Sequence, residues 1–104
     1  MEERLIAKKI ILKKSKTINL AKFTTARSYR CLVGVNLVAD NVIVFFRDAK
    51  SRFLQNDFNK LENLANLVAE DEDRIIKKRY LFLSSQICSK ALNLAKERGW
   101  QCYL

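Results

Sequence analysis

Two apolar runs lie almost end to end between Cys31 and Asp48, Cys-Leu-Val-Gly-Val-Asn-Leu-Val-Ala and Val-Ile-Val-Phe-Phe-Arg-Asp, and only Asp40-Asn41 parts them. Both runs are rich in β-branched and aromatic residues, which suit a pleated strand. Asp and Asn tolerate turn conformations that β-branched residues do not, so the stretch predicts a β-hairpin. Apolar residues at successive rather than alternate positions mean that both faces of these strands need cover. Helices should therefore flank the sheet on both sides, and 104 residues leave room for one such unit.

The rest of the chain supplies those helices. Phe58, Leu61, Leu64, Ala65 and Val68 recur at helical spacing, with Asn56 or Asp57 available as the cap. Glu70-Asp71-Glu72-Asp73 sets acids where a helix end prefers cations, so the helix should stop near Glu70 and leave them in a solvated loop. Tyr80-Leu81-Phe82-Leu83 then reads as a strand and Ser84 and Ser85 as caps. Ile87, Ala91, Leu92 and Ala95 form a helical face that Gly99 ends in a left-handed turn. Trp100, Cys102 and Leu104 alternate with Gln101 and Tyr103 as a last strand, completing a right-handed βαβ unit with parallel strands. The start is ambiguous between helix and strand. Glu2 and Glu3 at one end and lysines at the other suit a helix over residues 2–15. The fold class expected is α/β, one domain with a mixed sheet, divided into a basic N-terminal segment, 1–30, and a core, 31–104.

Charge narrows the partners. The 20 Lys and Arg exceed the 11 Asp and Glu by 20 − 11 = 9. From Arg4 to Ala39 stand nine bases and no acid, against eleven bases and nine acids from Asp40 to Leu104. Lys8, Lys9, Lys13, Lys14 and Lys16 interleave with apolar residues and are the candidate nucleic-acid surface, though a solvated face would look the same. Phe23, Tyr29 and Tyr80 are of the type that stacks on bases, and core packing accounts for them equally. No helix-turn-helix or zinc-finger spacing points to sequence-specific readout. The absence of histidine excludes histidine-based triads and imidazole acid-base chemistry. Three cysteines without C-x-x-C spacing read as reduced thiols, the longest apolar run is Val42 to Phe46, and the N-terminus lacks secretory features. A cytoplasmic protein with no membrane partner is expected.

One constellation has catalytic chemistry. Asp48-Ala49-Lys50 stands on the predicted second hairpin strand, where residues i and i+2 share a face, so carboxylate and ammonium should project side by side. Metal-dependent phosphodiester cleavage needs oxygen ligands for Mg²⁺ and a neighbouring cation to orient the attacking water. Asp48 would be the metal ligand and Lys50 the cation.

A hairpin strand ending in Asp48-Ala49-Lys50, followed by an amphipathic helix and a βαβ unit, resembles the PD-(D/E)xK nuclease superfamily. From Asp48 onward the chain resembles in particular the nuclease-like C-terminal domain of archaeal-type ATPases. Phe58 to Val68, Tyr80-Leu81-Phe82-Leu83-Ser84-Ser85 and Ala95-Lys96-Glu97-Arg98-Gly99 carry that likeness. The resemblance implies a restriction-endonuclease-like fold, nucleic acid as partner with DNA favoured over RNA, and a possible Mg²⁺ cofactor. A homodimer or a separate ATPase partner also belongs to it. The family's metal-sharing aspartate on the preceding strand corresponds to Asn36, whose carbonyl oxygen can coordinate but which lacks the charge. Two readings therefore stand: Mg²⁺-assisted phosphodiester hydrolysis with Asp48, Lys50 and Asn36 as the site, or a catalytically degenerate nuclease-like fold that binds nucleic acid or a protein. A small toxin-like RNA-binding protein fits the size and charge but not the βαβ unit.

Overall fold

The strand-forming hairpin sits at the middle of a five-stranded sheet. The computed structural model describes residues 10–25 and 27–103. In chain order the elements are β1 (Leu12–Ile18), a short 3₁₀ turn (Leu20–Lys22), β2 (Tyr29–Asn36), β3 (Asn41–Arg47), α1 (Gln55–Asp71), β4 (Lys78–Leu83), α2 (Ser89–Glu97) and β5 (Trp100–Tyr103). The strands lie in sequence order, β1-β2-β3-β4-β5, with β1, β2 and β3 antiparallel and β3, β4 and β5 parallel. The mixed sheet and the parallel β4–α2–β5 crossover agree with the sequence reading, and a second parallel crossover joins β3 to β4 through α1.

The N-terminal helix expected over 2–15 does not extend to its end, because Leu12–Ile18 is a strand; residues 1–9 of that expectation lie outside the described residues. Dipole-complementary charges contribute less than about 1 kcal/mol to a helix end. Pairing along the open side of β2 satisfies a whole row of backbone groups instead. Lysines on this edge strand also keep it from pairing with another sheet. The register slips between Leu12 and Lys14, so a bulge at Lys13 puts Lys14, Lys16 and Ile18 on one face. Gly34 is required opposite the bulge, since a side chain there would collide with the Lys14 carbonyl oxygen.

The main core lies between one sheet face and both described helices. Val33, Ile43, Phe45, Leu81 and Leu83 meet Phe58, Leu61, Leu64, Ala65 and Val68 of α1 and Ala91 and Ala95 of α2. Trp100 joins β5 to α1, its ring 5.8 Å from Phe58 and 6.1 Å from Phe45. Both described helices pack on this same face, rather than on opposite sides, because strand order runs one way and crossovers share one hand. The other face is apolar and covered too: Leu32, Val42, Val44, Phe46 and Phe82 are buried together with Ile10. Phe46 stacks on Phe82, and Phe82 on Tyr103, each at 5.0 Å.

Helix ends depart from expectation. At the start of α1, Asp57 caps from within the first turn, its Oδ2 accepting the Leu54 N–H at 2.9 Å. The acids after Val68 are not a solvated loop. Glu70 and Asp71 are helical, and Asp73 adopts φ 52°, so that Asp73 N–H reaches Glu70 O and Arg74 N–H reaches Ala69 O, a left-handed terminus built without glycine. Asp71 and Glu72 pair with Lys22 and Lys16 at 3.3 and 3.1 Å, offsetting their unfavourable place at the C-terminal end of the helix. Ser84 and Ser85 do not cap α2. Phe53 N–H donates to Gln86 O and Cys88 N–H to Phe53 O, which holds 86–88 extended and delays the helix until Cys88, whose Sγ accepts the Ala91 N–H. Gly99 takes the expected left-handed conformation, φ 79°.

Candidate functional site

β3 ends at Arg47, so Asp48 and Lys50 stand in the loop beyond it and strand alternation does not set them side by side. Both are exposed. Asp48 N–H donates to Ser28 O at 2.8 Å, one step past the ladder. The Asp48 carboxylate is 3.4 Å from the Ser84 hydroxyl, which also lies 3.3 Å from the carbonyl oxygens of Arg47 and Ala49.

Asn36 is at the opposite end of the hairpin. Its Oδ1 accepts the N–H groups of Val38 at 3.1 Å and Asp40 at 2.9 Å, and its own N–H donates to Asp40 O, so it is the residue that closes the turn. From Asn41 to Asp48 the chain runs extended, which separates Asn36 from Asp48 by roughly 20 Å at a strand's rise per residue. The shared site of Asp48, Lys50 and Asn36 is not formed. The physical reason is register: Tyr29 pairs with Arg47, so Ser28, not Asn36, stands opposite Asp48.

These donors do not fit a Mg²⁺ ion. Asp48 brings one carboxylate, flanked in sequence by the cationic Arg47 and Lys50, and its expected co-ligand is remote. Among the described residues no three His, Cys, Asp or Glu side chains gather into a metal-binding group. The preferred hard-oxygen set of carboxylates and carbonyls is thus not assembled here.

The lysine cluster is divided. Lys8 and Lys9 lie outside the described residues, and Lys13 and Lys14 are exposed on the edge strand. Lys16 holds both carboxylate oxygens of Glu72 at 3.1 Å. Such an exposed pair contributes about 0–1 kcal/mol and is screened by salt.

One pocket holds residues that the sequence reading did not bring together. It lies between the 3₁₀ turn, the ends of β2 and β3, and α1, with a volume of about 430 Å³. Arg47 forms its floor. The guanidinium is on the helix-side face with Ile43 and Phe45, and the residue is only 6% exposed. It donates to Ser51 O at 2.9 Å, Ser51 Oγ at 3.0 Å and Ser85 Oγ at 3.0 Å, and it lies over the Phe53 ring. Phe23, Tyr29, Asp57, Lys60, Leu64 and Leu67 line the walls. Burial pushes the Tyr29 phenol up, outweighing the Arg47 guanidinium beside it, which pulls the other way. A sequence signal existed: Arg47 falls in phase with Ile43 and Phe45, a charge at an inward position of a strand.

No family model matches the chain, and no curated protein does. Among solved structures the apo form of EndoMS matches 99% of this chain and 43% of its own, with a TM-score of 0.58 and 14% identity. The chain has the fold of EndoMS. The α/β architecture with a mixed sheet expected from the sequence is the one observed. The chain spans less than half of the length of the protein it matches.

Proposed function

We propose that this chain is a nuclease-like domain that grips nucleic-acid phosphates without cleaving them. The observation that carries this reading is the separation of Asn36 from Asp48 along the hairpin, which leaves Asp48 without the co-ligand that metal-assisted hydrolysis would need. The nuclease-like fold and the charge of +9 supply the partner class. On this reading the chain is a PD-(D/E)xK relative in which binding outlasted chemistry, and Lys13 and Lys14 on the exposed edge strand meet phosphates. Neither has an acid within 4.0 Å among the described residues.

A gel-shift on single- and double-stranded DNA, run beside supercoiled-plasmid nicking in Mg²⁺ or Mn²⁺, tests it. The expected result is shifted, uncut DNA, with affinity that falls steeply with salt at a logarithmic slope of about −0.9 per phosphate contacted. Replacing Lys13 and Lys14 by Glu should weaken binding and flatten the slope. Metal-dependent nicking lost in Asp48→Ala and Lys50→Ala would overturn the reading in favour of an enzyme. Absence of any shift at low salt would overturn it in favour of an acidic protein partner.

A further inference from the structure

The pocket floored by Arg47 contains a buried cation to which no acid is bound. Arg47 is more than nine-tenths buried as a residue, and its guanidinium hydrogen-bonds to neutral groups, the Ser51 carbonyl and the hydroxyls of Ser51 and Ser85. No carboxylate lies within 4.0 Å of it among the described residues. Asp57, the one acid on the wall, is committed to the Leu54 N–H at the start of α1. Burying a charge is costly unless a counter-charge meets it, and the groups that meet this guanidinium, Ser51, Ser85 and the Tyr29 phenol, satisfy hydrogen bonds without supplying one. A second cation, Lys60, stands on the α1 wall of the same cavity.

The remainder of the pocket does not suit a bare inorganic anion. Phe23 and Tyr29, beside the start of β2, and Leu64 and Leu67, on α1, are the apolar and aromatic members of its lining. Ser28 and Asn63 are polar residues of the same lining. A cavity of about 430 Å³ falls in the range of small-molecule sites. A ligand that fits has an anionic end for Arg47 and Lys60 and a flat, mostly apolar body carrying a few hydrogen-bonding edges. The aromatic residues supply a stacking surface of the kind that holds a base without reading its identity.

We propose that this pocket binds a single nucleoside phosphate unit, its phosphate on Arg47 and Lys60 and its base against Phe23, Tyr29, Leu64 and Leu67. The choice of a nucleoside as the body rests on the nucleic-acid reading above; the anionic end rests on the buried guanidinium alone. The unit is supplied either by a free nucleotide or by the terminal nucleotide of a bound strand.

The test is an NMR titration of the full chain with adenosine 5′-monophosphate, adenosine and inorganic phosphate, together with gel-shifts of a decathymidylate with and without a 5′-phosphate. Arg47→Met keeps the stem that packs on Phe53 while removing the charge. Lys60→Glu changes an exposed position and so keeps the test open if the first variant does not fold. Saturable shifts at Ser28, Tyr29 and Lys60 with the monophosphate, weakened at least tenfold in either variant and absent with adenosine, support the pocket. A preference for the 5′-phosphorylated strand that vanishes in Lys60→Glu assigns the unit to a strand end. Equal binding of both strands assigns it to free nucleotide. No perturbation at millimolar monophosphate, with DNA still shifted equally by wild type and variants, overturns the pocket and leaves the nucleic-acid reading standing. Monophosphate binding without any DNA shift overturns that reading and leaves the pocket.

Discussion

Arg47 costs the fold desolvation and returns three hydrogen bonds and a packed stem on Phe53. Replacement by an apolar residue of similar shape removes that desolvation cost, while Ser51, exposed, and Ser85, half-buried, can take water in place of the lost donors. Urea denaturation followed by the buried Trp100 should therefore place Arg47→Met within about 1 kcal/mol of wild type. Arg47→Ala should lose about 2–3 kcal/mol, because it also empties the space of the stem. A large loss in Arg47→Met would show that the hydrogen bonds to Ser51 and Ser85 hold the loop and that Arg47 is structural. The type and order of these residues were visible in the sequence. That Arg47 rather than Lys50 is enclosed was not, because it depends on where β3 stops, and Asp48-Ala49-Lys50 falls just beyond that end.

At the scale of elements, β1 and the end of α1 make the sharpest expectations. Gly34→Ala pushes a methyl group into the Lys14 carbonyl, a backbone atom that cannot turn aside, so β1 must lift or lose its bulge. A loss of about 2–4 kcal/mol in chemical denaturation is expected. A neutral result would mean that the bulge does not bring these backbones together. Asp73 holds a left-handed conformation that glycine adopts without strain, and it adds an acid at the negative end of a helix. Asp73→Gly should raise stability by about 0.5–1 kcal/mol, read as a higher Tm. The hairpin, α1 and the βαβ unit were legible because each is written as an apolar period along a contiguous stretch. β1 was not, since its lysine-rich pattern fits an edge strand as well as a helix and its partner lies some twenty residues away.

Across the whole molecule, burial holds several thiols and phenols neutral: desolvation raises Cys31, Cys102, Tyr29 and Tyr80. Their folded pKa values lie above the unfolded ones, so this part of the stability is complete below the ordinary 9.0 of cysteine and 10.0 of tyrosine and is lost as pH rises through them. Circular dichroism melts should show Tm falling above about pH 9, with a smaller fall in Cys31→Ala; an equal fall would assign the effect to other groups. With no histidine, little change is expected between about pH 6 and 8. Charge acts at this scale too. The acid-free first third reads as one basic field, yet the fold brings Lys16 and Lys22 to Glu72 and Asp71, so part of that field is spent inside the molecule. By itself the sequence determined the hairpin, both described helices, the parallel unit and the basic excess, because apolar periodicity and composition are local properties of a chain. The tertiary structure alone decided that β1 joins the edge, that Asn36 and Asp48 stand at opposite ends of the hairpin, and that Arg47 floors a pocket with Tyr29 and Lys60. Register and strand ends are settled by hydrogen-bond saturation between distant segments, and a shift of one residue there moves a side chain from solvent to core.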